Sequence, residues 1–328
     1  MQDQIEIIDD RYHVVNDFNF YHKDQNRRQT RIAHDFSSSQ PPYHYSQPES
    51  RFLREVTGKD AMIILKRENM TKKYFFFDID GTLTDIHTGK LVESGLKTLR
   101  QLEAAGHFTA IATGRAVYKT LDVARQAGIH SYVANGGAAL ILNDQLLRNA
   151  PLDRDKALKI IREADELGYG ILVACSDSID VIMRDHRFLE QFGQRKEATN
   201  YIYRPDLDYD DLTSIYKIYI SMPEKEEYKL KNRDLLGHIR MGDDYFWFQH
   251  DEKDQGIRDM MAILGGDVKD VVVFGDGEND MIMFDPEWTG IAMGNGYPDL
   301  LAKADYVTSA AEEDGIRKAC LHFGWIEE

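Results

Sequence analysis

Cysteine is nearly absent: Cys175 and Cys320 are the two in 328 residues, and they stand far apart. That excludes a disulfide framework and a paired-cysteine zinc motif, and both read as reduced core residues in a cytoplasmic setting. Positive charge is also scarce. Lys and Arg number 40 against 56 Asp and Glu, for a net charge of −16. A nucleic-acid backbone needs a basic face, so that class of partner is not expected. Long apolar runs are missing too. The N-terminus is polar and acidic without an apolar signal core, and Ala61-Met62-Ile63-Ile64-Leu65 is too short to span a bilayer. No membrane partner is expected.

Proline is sparse, at eight, and three of the eight (Pro41, Pro42, Pro48) fall in one polar stretch of residues 37–48. Such a composition buries too little apolar surface to order itself. Residues 1–69 are therefore expected to be a disordered extension. Its histidines (His13, His22, His34, His44) are irregularly spaced and make no metal motif. The structured part is expected to begin at Met70. Lys66-Arg67-Glu68 is encodable by a purine-rich ribosome-binding sequence. We therefore read residues 1–69 as an upstream extension, from a start assigned too early, with no part in the activity.

What is present is a chain long enough for about two domains, 42% hydrophobic and 29% charged. It is organised around Tyr74-Phe75-Phe76-Phe77-Asp78-Ile79-Asp80-Gly81-Thr82. The short aromatic run predicts a strand buried on both faces, as in a parallel sheet. Asp78 and Asp80 follow at its carboxyl end, where α/β folds place ligands. Two carboxylates this close repel unless a cation lies between them, and a hard ion such as Mg²⁺ prefers oxygen ligands.

Strand and helix then alternate. A helix is predicted over 91–105, a strand over 107–112 ending in Thr113-Gly114-Arg115, a helix over 116–127 and a strand over 132–134. This alternation predicts an α/β fold with a doubly wound parallel sheet. Thr113 at a strand end and the following helix start suit phosphate. Asn135 either faces the same cleft or serves a plain turn. Residues 151–241 change texture: a helix over 157–167, a hairpin over 171–184, a strand over 214–220 and a charged helix over 226–238. They read as an α+β unit inserted into the α/β domain of 70–150 and 242–328. Lys253 then opens a helix, and the strand 271–274 runs into Gly275-Asp276-Gly277-Glu278-Asn279-Asp280. Strands 290–293 and 305–308 and a helix over 314–323 complete the sheet.

The set Asp78-x-Asp80, Thr113, Lys253 and Asp276…Asp280 resembles the haloacid-dehalogenase-like (HAD-like) phosphohydrolase superfamily. Met293-Gly294-Asn295 and Asp314-Gly315-Ile316 are similar to its Cof-type branch, which carries a class IIB cap. The resemblance implies a Rossmannoid core, the α+β unit as cap, and a phosphatase acting on a small phosphorylated metabolite such as a sugar phosphate or a phosphorylated cofactor or nucleotide precursor. It implies Asp78 as nucleophile, passing through an aspartyl-phosphate, and Asp80 as acid and base. Mg²⁺ would be held by Asp78, the Asp80 carbonyl and Asp276, with Asp280 beside it. Thr113, Gly114, Lys253 and Asn279 would bind the phosphate. Lys253-Asp254-Gln255-Gly256-Ile257 fits the branch's spacing; alternatively Lys253 is a solvated helix-start lysine. Arg184 and His186 are either cap contacts to substrate or ordinary surface residues. The alternatives to a phosphatase are a phosphomutase and a low-turnover phosphometabolite-binding regulator.

Overall fold

The computed structural model describes residues 71–241 and 245–328. The expected extension over 1–69 lies outside them.

The chain enters as β1 (Tyr74–Phe77), every residue of it buried. Phe75 and Phe77 join a core with Leu99, Leu102 and Ile316, while Phe76 joins the opposite core with Ile257, Met260 and Met261. This is the two-residue alternation of a strand with both faces covered. Each buried phenylalanine contributes about 1.5–3 kcal/mol. Helix α1 (Glu93–Ala104) lays Leu96, Leu99 and Leu102 on the sheet, because three-residue steps keep side chains on one helix face. Then follow β2 (Phe108–Ala112), α2 (Val117–Ala127), β3 (Tyr132–Ala134), β4 (Ala139–Leu142) and β5 (Gln145–Asn149).

The next segment builds a second sheet. Its elements are α3 (Arg154–Glu166), β6 (Ile171–Ala174), β7 (Asp180–Met183), α4 (Arg187–Gln191), β8 (Asn200–Tyr203), β9 (Lys217–Ile220), β10 (His238–Met241) and β11 (Tyr245–Phe248). The strand order is β10-β11-β9-β6-β7-β8. Ile160, Ile161 and Ala164 of α3 pack with Ile218, Ile220, Phe246 and Phe248 on one face. Tyr219 and Tyr245 point to the other, with Phe188 of α4.

The chain then returns with α5 (Lys253–Leu264), β12 (Val271–Gly275), β13 (Thr289–Ala292), α6 (Pro298–Lys303), β14 (Tyr306–Val307) and α7 (Gly315–His322). The first sheet has the order β14-β13-β12-β1-β2-β3-β4-β5. β1 lies between β12 and β2, parallel to both. The residues just after these three strands therefore meet along one edge of the sheet.

Three expectations are corrected. The first sheet is not parallel throughout, since β4 and β5 run antiparallel at its edge. Asn143 and Asp144 join them with positive φ at both residues, a two-residue connection that permits a hairpin and no crossover. The inserted unit does not close at 241. β11 pairs with β10 and β9, and Phe246 and Phe248 enter that unit's core. Residues 226–238 form no long helix. They hold 3₁₀ turns at Glu224–Lys229 and Arg233–Leu235 and then enter β10. Neither turn buries a residue, so no apolar stripe exists to hold a helix against the core.

Candidate active site

Asp78 follows β1 directly and is buried. The chain turns sharply after it, and the Asp80 N–H donates to Asp78 Oδ2 at 3.1 Å. Gly81 makes the turn possible. Its φ is +80°, and a Cβ there would lie 2.1 Å from Asp276 Oδ2. Backbone of one strand exit thus touches the carboxylate of the next.

Asp276 follows β12. Its Oδ1 accepts from Thr82 Oγ1 at 3.1 Å and its Oδ2 from Asn295 Nδ2 at 3.1 Å. Asn295 also donates to the Gly81 carbonyl at 3.2 Å, tying both turns together. Asp280 is fully buried. Its Oδ2 accepts from the backbone N–H groups of Asp276 (3.0 Å) and Gly277 (2.9 Å). Lys253, the first residue of α5, is buried and donates to Asp78 Oδ1 at 3.0 Å and to Asp280 Oδ1 at 2.6 Å. It is therefore no solvated lysine.

Oxygens of Asp78, Asp276 and Asp280 all lie within 4.8 Å of one another. One ammonium against three buried carboxylates leaves two negative charges without a counter-charge. Burial, and then the Asp280 charge, push Asp78 up to about 8 against the pull of Lys253. The same two causes push Asp276 up to about 7. Burial opposes the charge on Lys253, but Asp280 and Asp78 outweigh it and raise its pKa. An oxygen-only donor set short of positive charge fits a hard divalent cation.

Asp80 sits differently. Its side chain is 56% exposed, and both its oxygens accept from Arg115, one from Nε at 2.9 Å and the other from Nη2. Thr113 is buried after β2, and its hydroxyl accepts from the Arg115 N–H at 3.1 Å. Asp78, Asp80, Thr113, Gly114, Arg115 and Asn279 line one cleft of about 710 Å³. The second sheet contributes Lys217, Tyr219 and Trp247 to the same cleft, and the segment between α4 and β8 contributes Arg195 and Glu197.

The structure thus brings together Asp78, Asp80, Thr113, Gly114, Lys253, Asp276, Asn279 and Asp280. It does not bring in Arg184 or His186. Arg184 pairs with Asp165 of α3 and lies 4.7 Å from the Tyr209 ring centroid; His186 stacks on Tyr203. Both are held within the second sheet's own unit. Asn135 takes neither expected role alone, since its side chain donates to Asn149 and Asp177. Sequence reasoning gave no role to Arg115, Thr82 or Asn295. Arg115 was adjacent to a motif; the links of Thr82 to Asp276 and of Asn295 to Gly81 span far too much chain for local spacing to reveal.

Comparison with known proteins agrees with this geometry. A family model described as haloacid dehalogenase-like hydrolase matches residues 75–320. YkrA of Bacillus subtilis (strain 168) is 32% identical over 263 residues, covering 79% of this chain and 100% of that protein. YitU of the same organism, named as a 5-amino-6-(5-phospho-D-ribitylamino)uracil phosphatase, is 26% identical, covering 76% of this chain and 96% of that one. Among solved structures, the HAD subclass IIB sugar phosphatase BT4131 superposes with a TM-score of 0.63 at 25% identity, covering 78% of this chain and 100% of that one. With acids and a buried threonine at three strand exits, a buried lysine at the start of α5, and a match across most of its length, the chain belongs to the haloacid dehalogenase-like hydrolases.

Proposed function

We propose that the protein is a Mg²⁺-dependent phosphatase that hydrolyses a small phosphorylated metabolite through an aspartyl-phosphate on Asp78. The observation that carries this is Asp78 itself, a buried carboxylate at a strand end, held by the Asp80 N–H and by Lys253 and open to a cleft.

Asp78 attacks the phosphorus, and the bond to the leaving alcohol breaks. The Thr113 hydroxyl already accepts from Arg115 N–H, so its own proton is free for a phosphoryl oxygen. Gly114 offers its N–H beside it. Lys253 supplies positive charge to Asp78 and so opposes the upward push of burial and Asp280 on the nucleophile. Asp80 protonates the leaving oxygen and then removes a proton from the water that cleaves the aspartyl-phosphate. For both steps its carboxylate turns from Arg115 towards the bound group. A divalent cation held by Asp78, Asp276, the Asp80 carbonyl and Asp280 would offset the repulsion between carboxylate and phosphate.

We read residues 151–248 as a cap over the cleft, which sets the substrate and excludes water. YitU and BT4131 carry names for phosphatases of small phosphorylated compounds, which supports the same substrate class here. Among the described residues no helix is long and apolar enough to cross a membrane. Both cysteines are free, in keeping with a reducing cytoplasm.

The test is phosphate release from a panel of phosphorylated metabolites, with Mg²⁺ and with EDTA. Release from a small subset, dependent on Mg²⁺, is expected. Equal release in EDTA would contradict the metal requirement.

A further inference from the structure

The cleft holds a second set of charges besides those around Asp78. Lys217 and Tyr219 alternate along β9 with Ile218 and Ile220, which enter the opposite core. Trp247 on β11 stands in register with Tyr219. Lys217, Tyr219 and Trp247 therefore share the face that lines the cleft. The Arg195 guanidinium lies 4.0 Å from the Tyr219 ring centroid, and its side chain is only 6% exposed. Arg195 donates to Glu197 Oε2 at 2.7 Å and to Thr199 Oγ1 at 3.1 Å, but its buried Nε has no acceptor. Lys119 of α2 pairs with the same Glu197.

Lys217 has less. Among the described residues it makes no side-chain hydrogen bond and no ion pair; its ammonium lies 5.6 Å from the Trp247 ring centroid. Burial and the neighbouring Lys119 push its pKa down to about 8. Arg195 and Lys119 thus share Glu197, and Lys217 stands beside them without an acidic partner among the described residues. Asp122 stands exposed at the cleft, and Asp177 is taken up by hydrogen bonds to Asn135, Asn149, Val117 and Tyr118. A half-buried ammonium with only a ring beside it has lost water and gained no hydrogen-bond acceptor in return. An anion placed among Lys217, Arg195 and Lys119 supplies the missing partner through charge-assisted hydrogen bonds.

We propose that Lys217, Arg195 and Lys119 form a subsite for a second anionic group, a carboxylate or a further phosphate, on the alcohol that departs from the phosphoryl group. This rests on the phosphatase reading above and names the leaving half of its substrate. Trp247 would cover the carbon skeleton between the two anions. The cleft's volume suits a metabolite of that size.

Two substrate pairs test it: phosphoglycerate against glycerol phosphate, and fructose bisphosphate against fructose monophosphate. In the wild type, kcat/KM for the anion-bearing member of at least one pair should exceed its neutral counterpart by about tenfold or more. The pair that responds tells carboxylate from phosphate. Lys217→Met should bring that ratio near unity, and Lys217→Arg should retain most of it. A wild-type ratio near unity in both pairs, or an equal loss for both members in Lys217→Met, would overturn the proposal. If none of these four esters releases phosphate, calorimetric binding to the Asp78→Asn protein decides the subsite, and the phosphatase reading fails only if the whole metabolite panel is also silent. Tighter binding of the anion-bearing ester, lost on adding Lys217→Met, supports it; equal affinities overturn it.

Discussion

Asp177, on the turn between β6 and β7, accepts a hydrogen bond from Asn135 Nδ2 at 2.7 Å, across from one sheet to the other. The same carboxylate accepts from Asn149 Nδ2 at 2.9 Å and from the Val117 and Tyr118 N–H groups that open α2. One side chain thus caps a helix of the first sheet and grips two of its asparagines. Asp177→Ala leaves four donors unsatisfied or solvated. It should cost about 2 kcal/mol and lower the melting temperature by about 4–8 °C. Thermal unfolding by circular dichroism measures this. An unchanged melting temperature would mean that water replaces the carboxylate without loss.

Arg115 binds Asp80 through two nitrogens, and under the proposed mechanism this pairing opens when Asp80 reaches a leaving oxygen. A phosphoryl group in the cleft competes for the same guanidinium. Arg115→Ala should therefore weaken inhibition by inorganic phosphate by about tenfold, the scale of one charge-assisted pair. Steady-state inhibition measures the constant. An unaltered constant would confine Arg115 to Asp80.

Gly81 has no room for a side chain. Its φ of +80°, and the 2.1 Å that would separate an added methyl group from Asp276 Oδ2, both forbid alanine without movement. Gly81→Ala should lower kcat/KM by about tenfold or more while the protein stays folded, since displacement of a catalytic group by about 1 Å costs on the order of a hundredfold. Kinetics beside a thermal melt separate the two effects.

The acid cluster makes metal-free stability fall with pH. Asp78 and Asp276 have folded pKa values raised to about 8 and about 7 from 3.8. Their protonated forms favour the folded state. That contribution is complete below the unfolded value of 3.8 and is lost as pH rises through about 7 and 8. In EDTA the melting temperature should fall as pH rises from about 6 to about 8, within the window set by these two groups. Mg²⁺ should raise it more at about pH 8 than at about pH 6, because protons and cation compete for the same oxygens. A Mg²⁺ effect independent of pH would separate the ion from this cluster.

Much of the fold, and the gathering of Asp78, Thr113 and Asp276 at one sheet edge, was legible in the sequence. Phe75, Phe76 and Phe77 fall on alternate faces of one buried strand, so an unbroken aromatic run announced it. Asp78, Thr113 and Asp276 each stand just past a strand, where short-range patterning is enough to place them. The edge hairpin was missed because Asn143-Asp144 reads as loop, although β4 folds straight back on β3 through the short Asn135–Gly137 turn. Residues 226–238 read as a helix on charge spacing, yet their two turns bury nothing. Arg184 and His186 drew notice as polar residues after a strand. Their partners Asp165 and Tyr203 decide their direction, and neither is near in sequence. Lys217 escaped notice for the opposite reason, as one lysine in an alternating strand whose isolation appears only in three dimensions.

The central claim is that Asp78 takes the phosphoryl group. Rapid acid quench during turnover, followed by mass spectrometry of the peptide that carries Asp78, tests it most directly. The account predicts one added phosphoryl group on that peptide, absent from Asp78→Asn along with phosphate release. Phosphate release by Asp78→Asn at the wild-type rate, with no modified peptide in either protein, would contradict it.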